Sequence, residues 1–286
     1  MTKPLPSTMA PQAPGLLGDN PARNYGRKLT LFNAFAEPEL RRLIAELALQ
    51  PGMQVLDAGC GTGETLNWLH DHVQPQGKII GMDLSEAHVS EARRKIPPSI
   101  EVIQGDLLTP ALGAPSFDLI WCVNTINHLA DPLAGILGLK RLLKPGGRIS
   151  IGQGSFLPEM FFAWDSRLER VVNEAVRQYY RDRYGLIERD LAGIRALVGL
   201  LRRAQCRHVT ARTITIERTA PLNVETRRYL LEAIFRDTWG TRLSPYLAED
   251  DAMELARLCD PSDLGFALER PDFHFLQTFT LVVGES

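Results

Sequence analysis

The stretch Val55-Leu56-Asp57-Ala58-Gly59-Cys60-Gly61-Thr62-Gly63-Glu64 decides the fold. It begins as an apolar strand, turns on three glycines and hands over to a helix, so that backbone rather than side chain meets a ligand. In a dinucleotide-binding turn a third glycine falls three residues after the second, and the helix N terminus faces a pyrophosphate. Here that position is Glu64. A carboxylate in the first turn repels a pyrophosphate and tolerates a ligand carrying an ammonium or sulfonium charge.

Outward from this turn, strands and helices alternate. A helix is expected over Glu64 to Val73, then strand KIIGMDL from Lys78, a helix over Ser85 to Ile96, strand IEVIQGD from Ile100 and strand FDLIWCV from Phe117. Asp131 should cap the next helix with Pro132 at its first position, and Lys144-Pro145-Gly146-Gly147 stops the run before strand RISIGQ. Such alternation implies a doubly wound α/β domain around a mostly parallel sheet. Upstream, Pro38 with Leu40, Leu43, Ile44 and Leu47 predicts an amphipathic helix that starts at the proline. Residues 1–21 hold five prolines among small polar residues and read as a tail too poor in apolar surface to order.

Downstream, helical spacing of Leu168, Val171, Val172, Ala175 and Tyr179 is followed by a helix from about Asp190 to Ala204. Two more strands are expected at Val209 to Glu217 and His274 to Val283, with helices over Val224 to Trp239 and Leu247 to Cys259 between them. One domain over 22–286 accounts for this, with a seven-stranded sheet built from 51–154, 189–218 and 273–286. Helical insertions at 155–188 and 219–272 leave the carboxyl ends of the strands, where ligands bind in open α/β sheets, and should form a lid. A lid that excludes water suits a small molecule.

Composition narrows the partners. Of 286 residues 44% are apolar and 23% charged, and 32 basic against 34 acidic residues leave a formal charge of −2, so no basic field gathers nucleic acid. Cys60, Cys122, Cys206 and Cys259 form no CxxC pair and suit free thiols in a reducing cytoplasm. No run approaches the roughly 18 apolar residues of a membrane span, and no apolar signal-peptide core is visible at the N terminus. No clustered carboxylate and histidine set points to a metal.

Taken together, the glycine turn, Asp83 twenty residues after Gly63, the QGDLL segment and LLKPGG resemble the class I S-adenosylmethionine-dependent methyltransferases, from about Tyr25 to the C terminus. The resemblance implies a Rossmann-like methyltransferase fold with a reversed final hairpin, and S-adenosylmethionine as cofactor with S-adenosylhomocysteine as product. It further implies that the turn Gly59, Gly61, Thr62 and Gly63 lies against the methionine moiety, with Asp57 fixing the turn and the amino group. Asp83 would bind both ribose hydroxyls, a sound match of carboxylate to vicinal diol. Leu84 would pack on adenine, and Asp106 with Leu107 would contact it. The segment Asn124 to Leu129 resembles the loop beneath the methionine chain, and Tyr25 lies in a segment that folds across the cofactor in similar enzymes, where capping and simple packing are both open.

Asp106 is equally a satisfied turn residue. His128, after the fourth strand, is either a general base or a structural hydrogen-bond donor to the cofactor loop. Phe156, Phe161, Phe162 and Trp164 suit a substrate wall or core, and the helix carrying Arg167, Arg170, Arg177, Arg181 and Arg183 also holds four acidic residues, as a solvated, self-paired face would. The expected function is in-line methyl transfer to a small, secondary-metabolite-type acceptor. Two other classes compete: a cofactor-binding decarboxylase, cyclase or sensor on the same fold, and an NAD(P)-dependent oxidoreductase. The insertions are also compatible with a homodimer.

Overall fold

A computed structural model describes residues 26–113, 115–129, 131–155, 161–162, 165–184 and 193–286. Tyr25, the tail, Phe156, Trp164 and the side chains of Phe161 and Phe162 lie outside what is described.

The sheet grows from the glycine-turn strand. Strand β1 (Gln54–Ala58) runs parallel to β2 (Lys78–Asp83) on one side and β4 (Phe117–Val123) on the other; β3 (Glu101–Gln104) pairs with β2, and β5 (Leu143–Gly154) with β4. The last strand, β8 (His274–Glu285), is reversed between β5 and β7 (Arg207–Thr219). A two-residue strand, β6 (Phe161–Phe162), pairs with Leu276 and Phe275 of β8. Among the described residues the sheet therefore has seven main strands, as expected, and a short eighth.

Alternation along the strands sends side chains to two cores. Val55, Leu119 and Trp121 join the first, with α1 (Gly26–Glu46), α2 (Glu64–Val73) and α3 (Glu86–Lys95); Leu56, Ile120, Cys122, Ile149 and Ile151 join the second, with α4 (Pro132–Lys140) and α6 (Leu197–Arg203). Helices on both faces explain why these strands are apolar throughout. After β5 come α5 (Ser166–Tyr184) and, between β7 and β8, α7 (Val224–Arg228), which continues as a π-helical segment (Tyr229–Trp239), and α8 (Glu249–Cys259). Leu168, Val172, Ala175, Tyr229, Leu230 and Ile234 bury into the first core. Of the arginines on α5, Arg181 pairs with Glu174 on the same helix at 2.9 Å and Arg167 reaches across to Asp251 at 2.6 Å.

Three boundaries differ from expectation. Pro38 lies inside α1 rather than at its start. Its ring is exposed, whereas Leu31, Phe35, Leu40, Leu43 and Ile44 are buried, so packing of that stripe offsets the lost hydrogen bond. Pairing of Leu143 with Phe117 puts the Lys144 to Gly147 turn within β5, with a register shift between Phe117 and Leu119. The helix expected from Asp190 is α6, preceded by a 3-10 turn at Gly193–Ala196, with 185–192 outside the described residues. Asp131 caps α4 as expected, its carboxylate accepting from the Ala134 N–H at 2.9 Å, with Pro132 in the first turn.

Candidate active site

The strand ends β1, β2 and β4, together with α1, enclose a cleft at the carboxyl edge of the sheet. Its floor is the glycine turn. The Gly59 and Cys60 N–H groups both donate to the Met82 carbonyl, at 2.7 and 3.1 Å, which fastens the turn to β2. Gly59, Gly61 and Gly63 all have left-handed φ, at 85°, 53° and 91°. At Gly59 the space is closed as well, because a Cβ would lie 2.2 Å from Thr125 Oγ1.

Asp57 stands at the base of this turn, 2% exposed, and its Oδ2 has no hydrogen-bond partner among the described residues. Burial pushes its carboxyl well above the usual range, and the nearby charges of Asp83 and Glu64 push the same way. An orphaned buried carboxylate oxygen is costly unless a cation or donor arrives. The neighbouring Cys60 thiol is also pushed up, by burial first and then by Asp57 and Asp83, so it is no ready nucleophile.

Asp83, at the end of β2, is fully engaged along one oxygen. Oδ1 accepts from the Ser85 N–H at 2.9 Å and from His88 Nδ1 at 3.2 Å, while Oδ2 accepts from the Gly61 N–H at 2.9 Å. Leu84, Ser85, His88, Asp106 and Leu107 line the same side of the cleft. Asp106 is a satisfied turn residue, its Oδ1 accepting from the Leu108 N–H at 2.9 Å, and it also lines the cleft. Asn124, at φ 52°, lines the cleft while its Oδ1 accepts from the Gly154 N–H at 2.8 Å, and His128 lines it from the 3-10 turn Ile126–His128.

Thr62, Gly63 and Glu64 are placed differently. Thr62 is fully buried and donates to Glu64 Oε2 at 2.6 Å; neither it nor Gly63 is among the cleft-lining residues. Glu64 turns away to bind Thr30, Asn33 and Lys95, at 3.0, 3.2 and 3.0 Å. Burial alone would raise its carboxyl, yet hydrogen bonds from Thr62 and Lys95 outweigh this and hold it below the usual range. The charge assigned to the first helical turn is therefore spent on tying α2 to α1 and α3 rather than on a ligand.

Leu29, Phe32 and Asn33 of α1, Trp121 and His88 also line the cleft without having been singled out in the sequence. A signal for His88 existed. Ser85 is the N-cap of α3 and His88 its third residue, the position whose side chain folds back across the cap. Among the described residues no group of three or more His, Cys, Asp or Glu side chains could hold a metal ion, and no helix is long and apolar enough to cross a membrane.

Residues 55–147 match the family model of a methyltransferase domain. Over that segment the chain is similar to the class I methyltransferases. S-adenosylmethionine is the cofactor of this methyltransferase family. Among relatives, nocamycin O-methyltransferase of Saccharothrix syringae is 34% identical over 121 residues, which are 41% of this chain and 43% of that protein. Demethylmenaquinone methyltransferase of Lactococcus lactis is 34% identical over 102 residues, 34% of this chain and 40% of that one. The chain thus spans only about two fifths of the length of these curated relatives. In fold it is similar to a putative methyltransferase solved with the Haloferax volcanii Trm112 activator, at a TM-score of 0.53 and 17% identity over 91% of this chain and 94% of that one. The residues present fit the methyltransferase cofactor: a buried carboxylate with one oxygen unpartnered among the described residues for an ammonium, bare glycine backbone for close approach, and Leu84 with Leu107 for a flat base.

Proposed function

We propose that the chain transfers the methyl group of S-adenosylmethionine to a small-molecule acceptor, with the insertions 155–188 and 219–272 as a lid over the reacting groups. The observation that carries this reading is Asp57, whose buried Oδ2 has no partner among the described residues and whose surroundings penalise its charge until a cation lies against it. A diphosphate would meet the opposite of what it needs, since Asp57, Asp83 and Asp106 line the cleft and none of the described lining residues is Lys or Arg.

When bound, the cofactor supplies a methyl carbon already activated by a cationic sulfur. The chain's own residues then divide the work. Asp57 holds the amino group, with Gly59 and Gly61 offering backbone beside it. Asp83 reads the ribose, and Leu84, Asp106 and Leu107 seat the base. Asn124 shapes the loop under the methionine chain. His128 is the base for a hydroxyl or amine acceptor, taking the proton as the acceptor atom approaches in line; a carboxylate or sulfur acceptor needs no such help. Thr62 and Gly63 act by packing. Relatives named for nocamycin and demethylmenaquinone support a small-molecule acceptor.

The test is calorimetric titration of the purified chain with S-adenosylhomocysteine, with NADH as control and Asp83→Ala as variant. Binding of the homocysteine compound that is lost in the variant, with none of NADH, supports the reading. Preference for NADH, or no binding of S-adenosylhomocysteine, defeats it.

A further inference from the structure

The Asp83 carboxylate carries more than its place at the end of β2 requires. A carboxylate has about four lone-pair positions, two on each oxygen. On Oδ1 both are taken, by the Ser85 N–H and by His88; on Oδ2 one is taken, by the Gly61 N–H. His88 Nδ1 must be the donor here, because its neighbour is a carboxylate oxygen that can only accept. His88 is 5% exposed, lines the cleft and is fixed by the cap of α3, where its own N–H donates to Ser85 Oγ at 3.3 Å. One acceptor position remains, on Oδ2.

A vicinal diol that grips a carboxylate at two points needs a vacant position on each oxygen. We infer that His88 is a specificity-determining positioning residue: by filling Oδ1 it makes Asp83 the acceptor for a single ribose hydroxyl, and the second hydroxyl is left to solvent. The inference rests on the cofactor reading above and revises its simplest form, in which Asp83 holds both hydroxyls. Nothing in the glycine motif dictates it. The device is the third residue of α3 folding back over the strand end.

Calorimetry with three ligands separates the outcomes: S-adenosylhomocysteine and its 2′-deoxy and 3′-deoxy analogues, each against wild type, His88→Met and His88→Asn. In the wild type, removal of one hydroxyl should weaken binding about tenfold, the scale of one hydrogen bond to a charged group, and removal of the other by about twofold or less. Methionine fills a similar apolar volume and vacates Oδ1, so in His88→Met both removals should cost comparable factors. Asparagine presents an N–H close to where Nδ1 sits, and His88→Asn should keep the wild-type asymmetry. A folding defect would lower the active fraction for all three ligands alike and leave the ratios unchanged, so the ratios report on the carboxylate. Equal losses for the two analogues in the wild type, or the same asymmetry in His88→Met, would overturn the role of His88. Failure of the parent compound to bind the wild type would overturn the cofactor reading beneath it.

Discussion

Asp57 is a residue whose removal should help the empty protein and harm the complex. Its folded-state pKa is raised by burial and by Asp83 and Glu64, so the stability it contributes is present below its unfolded value of about 3.9 and is lost as pH rises through the folded value. Asp57→Asn should therefore raise the neutral-pH melting temperature of the ligand-free protein, by roughly 2–4 °C if about 1 kcal/mol of strain is relieved, and the advantage should vanish near pH 4. The same variant should bind S-adenosylhomocysteine at least about tenfold more weakly, the loss of one charge-assisted hydrogen bond. A variant that melts lower at neutral pH, or that binds normally, would contradict the account. Gly59 makes the complementary case, because alanine there meets both a left-handed φ and the Thr125 side chain. Gly59→Ala should cost about 2 kcal/mol or more, read by urea unfolding, and Thr125→Ala in the same chain should recover only the steric part. His128→Ala should slow turnover of a hydroxyl acceptor about a hundredfold while leaving S-adenosylhomocysteine affinity within about twofold; unchanged turnover would show that it is no base. As cleft-lining residues Asp57, Gly59, Gly61 and Asp83 were legible because they lie within one turn and one strand end. His88 and Phe32 were not, since they enter the cleft from a helix cap and from α1, and Thr62 misled because a turn hydroxyl can face ligand or protein equally well.

Glu64 joins three elements, and its worth is that of the junction. It accepts from Thr62 on its own turn, from Thr30 and Asn33 of α1, and from Lys95 of α3. Its lowered folded-state pKa means the stabilisation is present above the unfolded value of about 4.3 and lost as pH falls through the folded value. Glu64→Gln should thus destabilise by about 1 kcal/mol at pH 7, and the gap from wild type should close in acid; a gap that persists at pH 3 would mean the charge is not the source. The elements themselves were largely readable from periodicity: α2 spans Glu64–Val73 and β4 spans Phe117–Val123, as the apolar runs and flanking turns require. Legibility failed where packing overrules local preference. Pro38 signals a helix start, yet the apolar stripe on both sides of it, from Leu31 to Ile44, packs as one surface and carries the helix through. The π-helical turn geometry of Tyr229–Trp239 left no mark in the spacing either; there Tyr229 stacks on Phe35 at 4.3 Å and Phe235 on Trp239 at 5.4 Å.

At the scale of the whole molecule, similarity in fold says where a ligand would sit and not whether it sits there, since doubly wound sheets serve both adenosyl and nicotinamide cofactors. What separates the two is the energy stored in the cleft. Three carboxylates line it, one of them buried with an oxygen that has no partner among the described residues, and none of the described lining residues is Lys or Arg. The empty protein consequently carries strain that a cationic ligand relieves and an anionic one increases. Binding to the folded state alone stabilises by about 2.7 kcal/mol at a hundredfold excess over the dissociation constant, whatever the ligand's chemistry. For a chain of this size that amounts to roughly 5 °C or more in melting temperature. S-adenosylmethionine or S-adenosylhomocysteine at such an excess should therefore move the transition upward by that amount, and NADH at the same concentration should leave it in place. Asp57→Asn sharpens the comparison: its baseline should start higher and its ligand-induced shift should be smaller, because the variant has surrendered the interaction that relieves the strain. Equal shifts in wild type and variant would place the binding energy elsewhere in the molecule and detach Asp57 from the ligand altogether.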